Sequence, residues 1–353
     1  MRDEGIIRKG IIIVAISIKE IAKISGVGVG TVSRVLNNNG PVSEKTRKKV
    51  MEVIEEYGYI PNENARNLKL TKSDNIGLFV KSIANPFFSK MIDELYKAME
   101  SRGYNLIVRY VPVGENELEV MLSESVRNSL CGSILFGVEE KNRYTDNKLK
   151  QLGTPCVVLT ADLPDVDDSI YSSVKINDEQ EAYKATKYLI EMGHKKIGVF
   201  YQPVPDTPDY FRFKGYRRAL EESGIDFDEK LVGAISSNNG VGYRGAFLAM
   251  KQLMQANPDM TALFAFSDIF AVGAAKAVEL LGKKVPENIS IIGFDGIEAT
   301  EYSSPAIDTI YQPVTEMAET TISLLHSMIN GEPGKHIEFE AVLIKRDSVR
   351  RLA

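Results

Sequence analysis

The segment Thr31-Val-Ser33-Arg34-Val-Leu-Asn37 carries residue types that contact nucleic acid. A guanidinium fork can pair bidentately with guanine, and short Thr, Ser and Asn side chains suit phosphate or base contacts. Val32, Val35 and Leu36 have helical spacing, which leaves Arg34 and its polar neighbours on another face. Far along the chain, Asp295 ends the apolar run "ISIIGFD", and Arg212 stands in "DYFRFKGYRRAL" shortly after the run "IGVFY". A carboxylate at a strand mouth can accept two sugar hydroxyls, and an arginine fork can hold hydroxyls or a carboxylate. Gly26-Val-Gly-Val-Gly30 has glycines spaced like a dinucleotide loop. Such a loop must follow a strand directly, whereas here a helical segment precedes it, which sets that reading aside. His194, His326 and His336 show no ligand spacing, and Cys131 and Cys156 are the only cysteines. With no nucleophile–base pair, metal cluster or phosphate loop in view, the chain does not read as an enzyme, and neither a metal nor a cofactor is expected.

The elements that must position these residues follow from local signals. Ser17 can cap a helix that Glu20 completes as a capping box, with Ile18, Ile21, Ala22 and Ile24 as its apolar face and Gly26 as its stop. A turn of about four residues separates it from the helix that carries Arg34, as in a helix-turn-helix. A third helix, capped by Ser43 and running to Tyr57, offers Val50, Val53 and Ile54 to cover both. Taken alone, the pattern fits two readings: a module whose second helix enters the major groove, or a generic three-helix bundle whose Arg34 is merely solvated. Charge bears on the choice. The 353 residues carry a net −5, yet residues 1–73 hold thirteen basic and eight acidic side chains, while the remainder is net −10. A small basic head on a large acidic body suggests a polyanion-binding module joined to something else.

From Asp74 the pattern becomes β/α alternation. Strands are expected at Ile76–Val80, Tyr104–Tyr110, Ser133–Phe136 and Cys156–Leu159, with a helix over Phe87–Arg102. The pattern then restarts: "IGVFY" echoes "IGLFV", and "ALEESGID" echoes "AMESRGYN". Two similar halves imply two parallel-sheet subdomains, with ligands bound in the cleft outside the carboxyl ends of the strands.

The stretch "IKEIAKISGVGVGTVSRVLNNNGPVSEKTRKKVMEVIEEYGYIPNENARNLK", above all "TVSRVLN", "VSEKTRKKV", "GYIPN" and "ARNL", closely resembles the DNA-binding domain of the LacI/GalR repressor family. The resemblance runs from about Ser17 to the end. It implies an N-terminal all-α helix-turn-helix domain and a core of two α/β subdomains like periplasmic sugar-binding proteins. The implied divisions are 1–16 (extension), 17–60 (DNA-binding head), 61–73 (hinge), 74–172 with 309–333 (first subdomain) and 173–308 with 334–353 (second subdomain). Crossings are placed near Ser172, Asp308 and Gly334. Operator DNA is then expected to meet Ser17, Val29, Thr31, Ser33, Arg34 and Asn37. It is also expected to meet a hinge helix, Asn62 to Lys69, in which Asn62 and Ala65 lie and whose Leu68 is a wedge for the minor groove. The implied effector site comprises Asn85, Phe87 or Phe88 as a stacking face, Arg212, Ser267, Asp295 and Gln312. Departures are Gly28 and Gly30, where the family often has side chains at the start of the recognition helix, and Ser267, where sugar-binding members often have Asn. Asp268 is expected to cap the helix that starts at Ile269.

The implied function is a ligand-responsive repressor that binds a pseudo-palindromic operator as a homodimer, with a sugar or related metabolite in the cleft. The alternative is the same fold driven by a purine corepressor or a phosphorylated carrier protein. No heptad tail follows "LIKRDSVRRLA", so a dimer is expected rather than a coiled-coil tetramer. The apolar stretch Ile11–Ile16 is shorter than a signal-peptide core, and no run approaches the roughly 18–20 residues that span a bilayer, so a cytoplasmic protein without membrane partners is expected. Arg8-Lys9-Gly10 can be encoded by a purine-rich run resembling a ribosome-binding site. Two origins for residues 1–13 therefore stand side by side: untranslated leader read as protein, with the natural chain starting at Val14, or a disordered extension.

Overall fold

The computed structural model describes residues 18–36, 40–56, 73–81, 83–112, 114–138, 144–201, 207–235 and 242–352. The chain divides after Thr71 into two units. The first holds α1 (Ile18–Ser25), α2 (Val29–Leu36) and α3 (Glu44–Glu56). Gly26, at φ +63°, ends α1: its N–H donates to the Lys23 carbonyl and that of Val27 to Ala22, so a residue tolerant of left-handed backbone closes the helix. Ser43 caps α3, its hydroxyl accepting from the Thr46 N–H at 3.3 Å. Ile21, Ala22, Val32, Val35, Val50 and Val53 form one buried cluster joining the three helices. Ile24, expected in that face, is instead 44% exposed.

In the second unit the order is β1 (Asn75–Val80), α4 (Pro86–Glu100), β2 (Asn105–Tyr110), α5 (Glu117–Arg127), β3 (Gly132–Phe136), α6 (Asp146–Lys150), β4 (Cys156–Leu159) and β5 (Ser172–Ile176). There follow α7 (Asp178–Glu191), β6 (Ile197–Phe200), α8 (Pro208–Glu222), β7 (Val232–Gly233), α9 (Tyr243–Ala256), β8 (Ala262–Phe264), α10 (Asp268–Leu280) and β9 (Ser290–Asp295). The chain closes with β10 (Asp308–Tyr311), α11 (Val314–Ile329), β11 (His336–Phe339) and β12 (Val342–Ile344). The central strands β3, β4 and β9 are buried at every residue, as parallel strands covered by helices on both faces must be.

One sheet runs β11-β5-β4-β3-β1-β2 and is parallel throughout; the other runs β12-β10-β9-β8-β6-β7, with only β12 antiparallel. In each, the winding reverses between neighbours (β1 and β3, β6 and β8). A crevice opens there at the carboxyl edge, because consecutive connections leave on opposite faces.

The three crossings lie a few residues later than expected. Strand β5 pairs through Leu159↔Val174 and Ile176↔Phe339, so it finishes its ladder in the first sheet and the chain leaves at Asn177, not near Ser172. Strand β10 belongs to the second sheet up to Tyr311, and the chain crosses at Gln312–Pro313 before α11 packs on α4. Strand β11 is in the first sheet, and the last crossing falls after Phe339 instead of near Gly334. Apolarity marks a strand but not its sheet, which is why the divisions at 172, 308 and 334 fall short.

Helices α7 and α8 meet at Gly215, where a Cβ would stand 2.0 Å from the Glu179 carbonyl oxygen and 2.8 Å from the Tyr183 nitrogen. Both obstacles are backbone and cannot swing aside. Gly215→Ala is expected to destabilise the second unit by about 2–3 kcal/mol, seen as a lower urea midpoint. An unchanged midpoint would show that the helices are free to separate there.

Candidate ligand cleft and nucleic-acid interface

In the first unit, α2 begins at Gly28, whose carbonyl accepts from the N–H groups of Thr31 (2.8 Å) and Val32 (3.2 Å). A Cβ at Gly28 or Gly30 would meet nothing within 4 Å, so the first turn is bare backbone with Val29 exposed beside it. Arg34 is exposed, and Thr31 and Ser33 are half-buried between that face and the Val32/Val35 contact. Ser17, Asn37, Asn62, Ala65 and Leu68 lie outside the described residues, as does the expected hinge helix.

In the second unit, polar side chains converge on one carboxylate. Asp295 ends β9 almost completely buried. Its Oδ2 accepts from the Ser267 hydroxyl at 2.8 Å and from Asn85 Nδ2 at 3.4 Å, and its Oδ1 accepts from Gln312 Nε2 at 3.0 Å. Asn85 caps α4, its Oδ1 accepting from the Phe87 N–H at 3.0 Å, and its amide nitrogen also lies 3.3 Å from Ser267 Oγ. It thereby links the end of β1 in one sheet to the ends of β8 and β9 in the other. Asp295 holds φ +118°, a strained region for a side-chain-bearing residue, as happens where surrounding contacts over-determine a site.

Arg212, buried in the first turns of α8, donates from Nε to Asp178 Oδ1 at 2.8 Å and from Nη1 to the Phe266 carbonyl, with Asp295 Oδ1 3.8 Å from Nη1. Its guanidinium carbon lies 3.7 Å from the centre of the Phe294 ring. Burial pushes the Asp178 and Asp295 carboxyls up, and the Arg212 charge pulls them back. Burial together with the charges of Asp295 and Asp178 pushes the nearby Asp209 up to about 6, against the pull of Arg212. Asp178 and Asp295 thus lie against one guanidinium, with the Asp209 carboxyl within electrostatic reach of it.

Phe87 is spent in the core, 5% exposed; Phe88 remains half-buried, stacked on Phe136 with ring centres 4.4 Å apart. Of the seven expected effector residues, the structure therefore brings Asn85, Arg212, Ser267, Asp295 and Gln312 into one network. The two phenylalanines, on α4, pack toward Phe136 of the first sheet instead.

Residues 17–62 match the family of bacterial regulatory proteins of the lacI type, and residues 186–349 match a periplasmic binding protein-like domain. The HTH-type transcriptional regulator MalR of Clostridium butyricum is 38% identical over 336 residues, 94% of this chain and 98% of that one. The chain belongs to the lacI family of bacterial regulatory proteins. As a lacI-family member it is a ligand-responsive, DNA-binding transcriptional regulator, not an enzyme. The regulator CelR of Thermobifida fusca is 31% identical over 94% of this chain and 98% of its own. A CelR–cellobiose complex superposes with a TM-score of 0.70 at 28% identity, over 94% of this chain and 99% of that one. A lacI-family regulator from Enterococcus faecium with bound ribose gives 0.67 at 26% identity, over 79% and 100%. Among the described residues no helix is long and apolar enough to cross a membrane.

The sequence reading of this lacI-family core missed Asp178 and Tyr201. Asp178 is the closest charge partner of Arg212, and the carboxyl-edge rule finds it once β5 is known to end at Ile176. Tyr201 follows β6 at the same edge, stacked on Phe213 with ring centres 4.0 Å apart. Asp268 is not the expected cap. Ser267 holds that position, and Asp268 turns away to accept from the N–H groups of Gly296 (2.7 Å) and Ile297 (2.8 Å) and from the Thr309 hydroxyl (2.6 Å). It fixes the turn that follows Asp295, with Gly293 leaving it room: a Cβ there would lie 2.1 Å from Asp268 Oδ1.

Asp268→Ala removes an acceptor from three donors, of which only the Gly296 N–H keeps another, the Thr309 hydroxyl at 3.3 Å, and is expected to destabilise the core by about 3 kcal/mol, with Asp268→Asn, which keeps one acceptor, less harmful in thermal unfolding. Equal losses would refute the acceptor role. For Asp209 the native state keeps a proton that the unfolded chain releases near 3.8, so stability falls as pH rises through about 4–6. Asp209 is half-buried by surface area. Solvent screening leaves the effect at about 1 kcal/mol, and Asp209→Asn is expected to raise Tm by about 2–4 °C at pH 7.5. At pH 4 it should give no gain; equal gains at both pH values would rule out the titration.

Proposed function

We propose that this regulator is a repressor that binds a pseudo-palindromic operator as a homodimer in the cytoplasm and releases it when a neutral, hydroxyl-rich small molecule, a sugar, occupies the cleft. The observation that carries the reading is the convergence of Asn85, Ser267 and Gln312 on the buried Asp295 carboxylate, beside Arg212. These groups offer donors and acceptors at fixed positions, as hydroxyl recognition requires. With its fork engaged by Asp178 and the Phe266 carbonyl, Arg212 is already partnered inside the protein, which supports a neutral sugar over a phosphorylated carrier protein. The relatives whose solved structures hold cellobiose and ribose support the same ligand class.

Arg34 and Val29 on the exposed side of α2 read bases, Arg34 through guanine and Val29 through a thymine methyl group; Thr31 and Ser33 hold the phosphates. The bare turn at Gly28 and Gly30 lets backbone approach the duplex closely. The resemblance to the family implies a hinge helix at Asn62 to Lys69, with Leu68 as its wedge. Strand β2, at one edge of the first sheet, exposes Val108 and Tyr110, and α4 exposes Tyr96; a second copy covers this apolar edge.

The test is operator binding titrated with neutral sugars. At least one is expected to weaken binding by about 5–150-fold, the usual range of such coupling. Asp295→Asn should lose that response and keep operator affinity. Arg34→Ala should weaken operator binding by about 1–3 kcal/mol and keep sugar binding. Tightening by a purine or a phosphoprotein, with no sugar active, would replace this reading by the corepressor one.

A further inference from the structure

Beside the Asp295 network lies a cavity of about 370 Å³ that none of the expected effector residues lines. Its walls come from both halves. Thr160, Asp162 and Pro164 with Lys175 and Ile176 stand at the carboxyl edge of β4 and β5 in the first sheet; Pro208 and Phe211 stand at the start of α8 in the second half. Asp178 belongs to both places, lining the cavity while holding Arg212 at 2.8 Å. The cavity therefore borders the Arg212 network at Asp178. Arg212 and Phe211 are successive residues on α8, one facing the Asp295 network and the other the cavity.

The lining has the two surfaces that a pyranose ring needs. Phe211 and Pro208 give an apolar wall. From the first sheet, Lys175 bridges Asp162 and the half-exposed Glu338, with Glu338 Oε2 at 3.9 Å, and Glu338 Oε1 accepts from Asn177 Nδ2 at 3.3 Å. Asp162 is itself fixed by the Ser173 hydroxyl, which donates to it at 2.5 Å. These side chains are held by one another, so their remaining lone pairs are presented at set positions. Thr160, at φ +70°, carries strain at this edge as Asp295 does at the other. The volume lies within the range of about 300–1,000 Å³ that encloses a small ligand, and it lies outside the Asp295 network.

We infer that this cavity is a second sugar subsite and that the effector is a disaccharide or larger: one ring is held by Asp295, Asn85, Ser267 and Gln312, and the next lies against Phe211 with its hydroxyls on Asp162 and Glu338. This rests on the sugar reading above and goes further, since a monosaccharide would fill only the first place. A two-ring ligand touches both halves on both sides of Asn177, the first crossing, and so fixes the angle between them.

The experiment is calorimetry on the full chain with glucose, galactose, maltose, cellobiose, lactose and maltotriose, for the wild type, Phe211→Ala and Glu338→Gln. At least one disaccharide or the trisaccharide is expected to bind about 30-fold or more tightly than either monosaccharide, because a second ring adds buried area and hydrogen bonds. Phe211→Ala should weaken that sugar about tenfold or more and a monosaccharide less than about threefold; Glu338→Gln, which keeps the shape of the wall, should weaken it about fivefold. If monosaccharides bind as tightly as the larger sugars, or if Phe211→Ala weakens both classes equally, the second subsite is refuted while the sugar reading stands. If no sugar in the panel binds, both fall.

Discussion

A guanidinium taken out of water must be met by charge and by acceptors, because desolvating it alone is prohibitive. Arg212 is so placed, and the cleft is organised around meeting that demand. Asp178 supplies the near carboxylate, Asp295 a second at 3.8 Å, Phe266 a carbonyl and Phe294 a ring face. Each partner enlists others in turn. Asp295, buried and net-raised in pKa, needs the Ser267, Asn85 and Gln312 donors; its strained backbone needs the following turn held, which Asp268 does. A buried charge network of this kind adds little to stability compared with apolar packing. What it gives is a set of directional groups that hold one arrangement, and that arrangement faces the place where two sheets end.

Why these residues and not others follows from winding. In both sheets the second strand lies outside the first and the third lies inside it, so helices leave on opposite faces and the carboxyl edge gapes between β1 and β3 and between β6 and β8. Asn85 follows β1, Tyr201 follows β6, Ser267 follows β8 and Asp295 ends β9. A rule about strand ends, applied to short apolar runs, marks Asp295 at the end of β9; Arg212 lies on α8 beyond the run "IGVFY", and its expected role rests on the family resemblance. Asp178 escaped the same rule because its strand, Ser172–Ile176, is "SSVKI", whose two serines and lysine hide the strand's end. The crossings were misplaced for a related reason. Whether a strand joins one sheet or the other is decided by partners more than a hundred residues away, as in His336↔Ser173, and local pattern carries no record of that.

The head shows the opposite balance. Its helices are short and close in sequence, and their limits are written in caps and stops, so Ser43, Gly26 and the Val32/Val35 stripe were legible directly. Ile24 was misjudged because four apolar positions in eight residues exceed what two neighbouring helices can cover. Asp268 departs from its expected role for the reason that the crossings do. At the first position of a helix an aspartate commonly caps, but its partners Gly296, Ile297 and Thr309 are 28 to 41 residues away, and only the tertiary fold brings them there.

The same network also bears on how a ligand could alter the geometry between the halves. Asn85 is anchored to α4 by its own cap and reaches Asp295 and Ser267 at 3.4 and 3.3 Å, longer than the 2.8 Å between Ser267 and Asp295. The contacts that join the halves at this point are thus weaker than those within one half. A hydroxyl-rich ligand on the proposed site competes first for the Asn85 amide, the least firmly held group, while the Ser267–Asp295–Gln312 set stays in place. A ligand can shift a conformational equilibrium only by its difference in affinity between the two states. Groups rigid within one half and loosely joined to the other give such a difference, because the bound molecule meets one fixed wall and sets the position of the second.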